Sequence, residues 1–291
     1  MVESNYIFCS TIFFLAMNNE PLLEIPKSSL EPTTFWRINE AIPQRLSWIL
    51  IGLSVVIPFI LWFLISQYAG IESIFLPSPR DVIDALGRLW SKGYLTQDII
   101  SSFTRVSLGF LLSAIVAVPL GILMGTFPSI RALFEPIVGI VRYMPAPAFI
   151  PLLIIYLGID EAPKIALIFI GTVFFNVLMI MDSVKFVPQD LIETTYTLGG
   201  KRKQVLLQVI TPYIIPRIID TFRVNMAASW NLVVVAELLA ATEGLGKRIL
   251  LAQKFLKTDE IFACLIILGL IGFAIDIFFR LLLRFTCKWA F

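Results

Sequence analysis

The chain has 291 residues, of which 58% are hydrophobic and 15% are charged, and its net charge is +2. Soluble domains carry charges at about a quarter of their positions, so this composition indicates an integral membrane protein. The net charge is too small to suggest a nucleic-acid partner, and the lack of histidine and of a suitable cysteine spacing excludes most zinc sites. We therefore expect neither catalytic nor metal-binding residues.

Six hydrophobic segments are long enough to cross a bilayer, which takes about 20 helical residues. They are predicted at residues 46–68, 101–126, 133–157, 163–183, 212–240 and 261–283. The third contains Pro145, Pro147 and Pro151, and because proline removes an amide donor we expect a kink or a break there. Irregular backbone at membrane depth must pack inside protein or line a water-filled cavity. The predicted fold class is an all-α membrane protein with about six transmembrane helices.

The segments outside these spans are more polar. Residues 1–45 are predicted to be a cytoplasmic N-terminal leader, followed by a transmembrane domain over residues 46–291. Residues 1–16 have two interpretations: Met17 is the true start, or the segment lies on the membrane surface. Two further segments, 78–93 and 244–260, carry apolar residues on one helical face, which predicts surface helices between spans.

Charge near the ends of the spans predicts their orientation, because basic residues favour the cytoplasmic side. The connection at residues 158–163 has two acids and no basic residue, whereas residues 201–203 are Lys-Arg-Lys. This contrast places the Lys-Arg-Lys segment in the cytoplasm. An even number of spans then puts both termini on that side.

The stretch DLIETTYTLGGKRKQVLLQVITP, residues 190–212, interrupts the hydrophobic spans. Pro188 suits a first helical position, the acids that follow suit the positive end of a helix, and Gly199 can adopt the left-handed conformation that ends one. We expect one short helix up to the Gly-Gly pair and a second that starts at Lys201 and stops where the fifth span begins. Two short helices at a glycine corner would form a knob that can dock into a groove of another protein.

Residues 188–212 resemble the EAA loop of the permease subunits of bacterial ABC importers. Glu193, Gly199 and Pro212 match the spacing of that loop, which is E-A-A, three residues, G, nine residues and I-x-L-P. Four other motif positions carry small or isosteric replacements, so docking is expected to survive. The resemblance implies that the ATPase-coupling residues are Glu193, Gly199, Gly200, Lys201, Arg202 and Pro212.

Other segments resemble the nitrate/sulfonate/taurine/bicarbonate group of these permeases. They are FLPSPRDV (75–82), RVSLGF followed by VPLGILMG (105–125), RYMPAPAFIPLLIIYLGI (142–159) and RVNMAASWNLVVVAELLAATEGLG (223–246). In this order, and with the EAA loop in place, the resemblance extends from about residue 70 to 286. It implies the type I ABC importer permease fold, with residues 46–291 as the permease domain and residues 188–212 as its cytoplasmic coupling-helix loop.

The resemblance also implies a function, which is ATP-driven import of a small oxyanion such as nitrate, a sulfonate, taurine or bicarbonate. Two permease copies, expected to be identical, would form the path, and an extracytoplasmic substrate-binding protein would deliver the anion. Two ATPase subunits would bind ATP and Mg²⁺, so this chain would hold no cofactor and catalyse no reaction. The protein would be a multi-pass protein of the bacterial inner membrane, surrounded by lipid, with both termini cytoplasmic.

Charged residues inside the spans are the candidates for the substrate path, because charge is costly in lipid. Arg105 and Arg142 are predicted to line that path, since a guanidinium offers paired donors to an oxyanion. The alternative for each is an ion pair or a contact with the membrane surface. Glu237 would repel an anion, so it is predicted, with Arg223 and Trp230, to hold a helix contact or a gate.

Two other classes of function remain open. A secondary transporter of small anions, working without an ATPase, would also use kinked helices and buried charges. The chain shows no convincing internal repeat, however, and such a transporter would leave the 188–212 loop without a purpose. An intramembrane enzyme would need a nucleophile with a base, or a metal cluster, for which the sequence offers almost nothing. Co-purification of an ATPase subunit separates the importer from both.

Overall fold

The computed structural model describes residues 42–290, and every element of regular secondary structure in this part of the chain is a helix or a helical turn. The α-helices are α1 (Gln44–Tyr68), α2 (Pro79–Ser91), α3 (Tyr94–Thr126), α4 (Pro128–Val141), α5 (Ile150–Leu157), α6 (Glu161–Val184), α7 (Gln189–Thr197), α8 (Arg202–Gln204), α9 (Thr211–Ala240), α10 (Leu245–Lys254) and α11 (Thr258–Thr286). Two 3₁₀ turns, Ala146–Phe149 and Lys288–Ala290, and a π turn, Val205–Ile210, accompany them. Met17 and nearly all of the predicted leader, residues 1–45, lie outside the described residues.

The number of spans agrees with the sequence prediction. Within residues 42–290, four single helices (α1, α3, α6 and α11) and the continuous helix Arg202–Leu238 are long and apolar enough to cross a membrane. A sixth candidate is the pair formed by α4 and the segment Ala146–Leu157, which are bent by 85° relative to each other. The prediction of about six spans is confirmed, and the third is broken at its prolines as expected.

One local prediction is wrong. The helix that starts after the Gly-Gly pair does not stop before the fifth span, because Arg202–Leu238 forms one continuous helix of 37 residues. The π turn makes this possible, since the Thr211 amide bonds the carbonyl of Leu206, five residues earlier. Pro212 lacks a donor in any case, and the wider turn beside it keeps the backbone helical.

The two surface helices predicted at residues 78–93 and 244–260 are α2 and α10. A reciprocal cap starts α2. The Ser78 hydroxyl accepts from the Asp81 amide at 3.3 Å, and the Asp81 carboxylate accepts from the Ser78 amide at 3.0 Å. This capping box satisfies amide donors that a helix start otherwise leaves unpaired.

Among the described residues, those from 42 to 61 belong to one compact unit and those from Trp62 onward to a second. In the second unit, α3 and α6 pack closely along their length because glycines face the neighbouring helix. A Cβ on Gly109 would lie 2.7 Å from the Ile168 Cβ, and a Cβ on Gly121 would lie 2.8 Å from the Ile180 Cβ. Close approach of this kind, rather than hydrophobic burial alone, holds helices together in membranes.

Polar side chains also join α3, α6 and α9 within the spans. The Asn176 amide donates to the Ser113 hydroxyl at 2.9 Å, and the Asn225 amide donates to the Asn176 carbonyl oxygen at 2.7 Å. All three residues are buried. Each such bond between membrane helices contributes about 0.6 kcal/mol on average, so this chain of bonds fixes the register of the three helices.

Candidate functional site

The coupling-loop residues form a corner whose geometry depends on both glycines. The helix α7 ends at Thr197, and Gly199 then takes a left-handed φ of 83° in open surroundings. Gly200 is needed for a different reason, because a Cβ there would lie 2.6 Å from the Thr195 Cγ2 and 2.7 Å from its carbonyl oxygen. The chain therefore turns sharply here because one glycine supplies the conformation and the other the space.

This corner is anchored in the protein core. After it, the Lys201 amide donates to the Gln204 side chain at 2.8 Å, and the π turn follows. Val205 and Ile210, at the two ends of that turn, are buried in the same apolar cluster as Val187 and Ile214. A force on the corner would therefore pass directly into the packing around α6 and α9.

The outer surface of the corner is exposed to solvent. Of the six predicted coupling residues, Glu193, Gly199, Lys201 and Arg202 are exposed, whereas Gly200 and Pro212 are partly buried. The corner also exposes large apolar side chains, including Leu198, which is 83% exposed. Exposed apolar groups among charges are typical of a surface that binds another protein. The sequence analysis missed Leu198, although an apolar residue directly before a Gly-Gly pair is a usable signal.

Arg105 lies in a buried ion-pair cluster. Its guanidinium donates to both oxygens of Glu161, at 2.5 and 2.9 Å, and to Glu237 at 2.6 Å. It also donates to the carbonyl of Glu243 at 2.8 Å. The side chain is only 4% exposed. The two carboxylates and the carbonyl already accept the hydrogen bonds that the guanidinium would otherwise donate to an anion. This geometry corresponds to the ion-pair alternative for Arg105 and leaves little capacity for binding an anion.

Glu237 is the centre of the same cluster. It is fully buried, and besides Arg105 it accepts from the Ser102 hydroxyl at 2.7 Å and from the Gly246 amide at 2.8 Å. Gly244, with a φ of 128°, lies against this carboxylate, and a Cβ there would be 2.4 Å from the carboxyl carbon. Glu237 therefore joins the end of α9 to α3 and to the start of α10.

A second carboxylate strengthens that junction. Asp98 on α3 accepts from the Gly244 amide at 2.8 Å and from the Arg248 guanidinium at 2.7 Å. The Leu245 amide donates to Ser102 at 3.0 Å. Asp98 and Ser102 were not identified from the sequence. Their spacing of three to four residues with Arg105, on one face of an otherwise apolar helix, was the available signal.

Within residues 42–290, Arg142 forms no ion pair with an acidic side chain. It follows α4 directly, before the break of the third span, and it donates to the Tyr143 hydroxyl at 2.8 Å. Its guanidinium also lies 4.7 Å from the centre of the Tyr143 ring. The Nε atom is buried without a hydrogen-bond partner in the part of the chain that the structure describes. Arg142 is thus a cation with spare donors at a broken membrane helix.

The remaining predicted residues, Arg223 and Trp230, both connect α9 to α11. The Arg223 guanidinium lies 3.7 Å from Asp276 and 3.6 Å from Asp220. The Trp230 ring is buried, and its Nε1 donates to the carbonyl of Leu268 at 3.0 Å. The structure does not bring these two residues to Arg105; instead, they hold the last span against the fifth.

Comparisons with known proteins agree with this architecture. Residues 117–286 match the model of the family described as binding-protein-dependent transport system inner membrane component. Among the relatives of the chain, the taurine transport system permease protein TauC of Escherichia coli (strain K12) is 33% identical, covering 78% of this chain and 85% of that protein.

 The alignment with TauC spans 233 residues. The aliphatic sulfonates transport permease protein SsuC of Bacillus subtilis (strain 168) is 31% identical, covering 84% of this chain and 89% of that protein. The nitrate import permease protein NrtB of Synechocystis sp. (strain ATCC 27184 / PCC 6803 / Kazusa) is 27% identical, covering 79% of this chain and 86% of that protein.

A solved structure agrees at the level of the fold. The MetNI methionine ABC transporter, in an inward-facing conformation, superposes with a TM-score of 0.60 at 17% identity, covering 67% of this chain and 96% of that chain. A component of this kind implies an ATPase and a substrate-binding protein as partners. These matches leave the alternative of a secondary transporter without support. The chain belongs to the family of binding-protein-dependent transport system inner membrane components, and it is the non-catalytic, multi-pass permease subunit of an ABC importer.

Proposed function

We propose that two copies of this chain form the membrane path of an importer for a small oxyanion of the sulfonate, taurine, nitrate or bicarbonate class. The observation that carries this proposal is the agreement among relatives, since the proteins named for taurine, aliphatic sulfonates and nitrate all match most of this chain. Those three names share one chemistry, a small anion whose charge is spread over oxygen atoms. A path for such an anion needs fixed hydrogen-bond donors and positive charge.

Arg142 is the residue that we assign to the anion. Its guanidinium is not ion-paired to any acid within residues 42–290, and it lies at the broken third span, where backbone irregularity requires a water-filled cavity or protein around it. A guanidinium binds an oxyanion through two parallel hydrogen bonds, which an ammonium group cannot do. We assign Arg105 a structural role instead, because its donors are already used by Glu161, Glu237 and the Glu243 carbonyl.

The exposed corner at residues 188–212 is the surface that we assign to the ATPase subunit, which places it in the cytoplasm. ATP and Mg²⁺ would be bound by that subunit. Closure of two ATPase subunits would push on the corner through Glu193, Lys201 and Arg202, and the buried ends of the π turn would pass the movement to α6 and α9. The path would then alternate between inward-open and outward-open states.

One experiment tests this function and identifies the anion. The chain is purified in detergent with its ATPase subunit, and the hydrolysis rate is measured with a binding protein loaded in turn with taurine, an alkanesulfonate, nitrate or bicarbonate. We expect one of these anions to stimulate hydrolysis well above the rate with the unloaded binding protein. Equal rates with all loaded and unloaded forms would contradict the proposed substrate class.

A further inference from the structure

The helix α9 carries two asparagines in opposite environments. Asn225 is 7% exposed and bonds Asn176, so its side chain belongs to the packed core. Asn231 is exposed, and its side chain makes no hydrogen bond to any residue between 42 and 290. An unpaired amide facing lipid costs free energy, so polar residues of spans face a water-filled cavity or other protein.

Asn231 lies at the C-terminal end of a distinctive face of α9. Successive residues of a helix are about 100° apart, and one side of α9 carries residues that are exposed or partly exposed in this chain. We call this the open face of α9, and it consists of Arg217, Asp220, Val224, Ala227, Ala228 and Asn231. It holds two charges and an amide, and Val224 is the one large aliphatic side chain among these six residues. By contrast, α11 exposes Leu270, Phe273 and Phe278, as a lipid-facing surface does.

Two features border the open face at the depth of Asn231. On one side, Asn231 lines a groove of 510 Å³ between α9 and α11, whose wall also includes Arg223, Gly272 and Asp276. On the other side, the next residue, Leu232, approaches the break of the third span. A Cβ placed on Gly171 would lie 2.4 Å from the Leu232 Cδ1 and 3.0 Å from the Ala146 Cβ, so both side chains reach the same point.

We propose that Asn231 lines the transport path and contacts the anion, where it helps to set substrate specificity. This inference rests on the proposed function. The amide group offers two N–H donors to the oxygens of a passing oxyanion, and because it carries no charge it binds weakly enough to release its cargo, which conduction requires. Arg142, four residues before Ala146, would supply the charge on the neighbouring span.

The first test is the accessibility of the position to water. Asn231→Cys and Leu270→Cys are made in a Cys9→Ser background; Cys264 and Cys287 are buried and remain. Leu270 is the matched control because it is 59% exposed on α11 and is not one of the residues that line the groove. We expect the charged reagent sulfonatoethyl methanethiosulfonate to modify the thiol at position 231 about tenfold faster or more than the thiol at 270 in the assembled importer. Equal, slow modification at both positions would overturn the proposal.

The second test is transport. Asn231→Asp preserves the shape of the side chain but adds a negative charge, so we expect uptake of the anion to fall about tenfold or more. Gln253→Glu, the same chemical change on the exposed surface of α10, should leave uptake unchanged. Asn231→Ser should change the ratio of uptake rates between two alkanesulfonates of different length, an effect that a purely structural residue would not produce. Wild-type rates and ratios in both variants at position 231 would overturn the contact.

The two tests separate this inference from the proposed function. Cysteine modification reports whether water reaches position 231, whatever anion the importer carries. If none of the four anions stimulates the wild-type ATPase, the proposed substrate class fails, and the modification rates alone decide where Asn231 lies.

Discussion

Replacing Arg105 by methionine removes the cation from the buried cluster while keeping a side chain of similar length. Glu237, which is fully buried, would then retain only its bonds to Ser102 and Gly246. Loss of one partner from a buried ion pair costs about 3–5 kcal/mol. We expect the lower end, about 3 kcal/mol, because those two bonds remain and because Glu161 is half exposed and can be hydrated.

The assay is thermal unfolding of the detergent-purified permease, followed by tryptophan fluorescence. At about 2–4 °C per kcal/mol for a chain of this size, Arg105→Met should lower Tm by about 6–12 °C. Arg131→Met removes the cation from a surface pair with Glu135, in which both side chains are more than a third exposed, and should change Tm little. The double variant Arg105→Met, Glu237→Gln should recover part of the loss, because no buried charge is left unpaired.

The result that would refute this reasoning is an Arg105→Met variant that melts within about 2 °C of wild type but no longer transports the anion. That outcome would mean that Arg105 binds substrate, as the sequence alone suggested, and that the cluster contributes little to stability.

Four further predictions follow from single contacts. Gly199→Val forces a branched side chain into a left-handed conformation, at a cost of about 1–3 kcal/mol. This variant should still insert into the membrane but should no longer co-purify with the ATPase. Gly87→Val, on the exposed side of α2, should change neither insertion nor co-purification. Arg142→Gln should lower uptake about tenfold or more while basal ATP hydrolysis continues, with partial recovery in Arg142→Lys; unchanged uptake would contradict the role of Arg142. Trp230→Phe loses one buried hydrogen bond and should destabilise the permease by about 0.5–1.5 kcal/mol in the same melting assay. Burial raises the pKa of the Cys287 thiol, so iodoacetamide at about pH 8 should modify it only after denaturation, and rapid modification of the native protein would show that the residue is exposed.

The spans and the break in the third could be predicted from sequence because both depend on local physics. Membrane thickness sets the length of a span, and Pro145, Pro147 and Pro151 remove amide donors wherever they occur. The corner at Gly199 is equally local, since its left-handed conformation favours glycine. These features need no knowledge of distant contacts.

The ion-pair cluster could not be predicted in the same way. Arg105 meets Glu161 and Glu237 across separations of 56 and 132 residues, and a single sequence carries no information on which distant charges approach each other. A guanidinium in a span therefore suggested a ligand for the substrate. The π turn at Val205–Ile210 was missed for a related reason. No residue preference predicts a π turn, and this one is stabilised by packing against α6.

The central claim is that ATP hydrolysis by a partner drives an oxyanion through this chain by way of the corner at residues 188–212. The most direct test is uptake of the labelled anion into proteoliposomes that contain the permease, its ATPase and the binding protein, with wild type compared with Gly199→Val. We expect uptake that requires ATP and the binding protein in wild type and is absent in the variant. Uptake without ATP, or equal ATP-driven uptake in both, would contradict it.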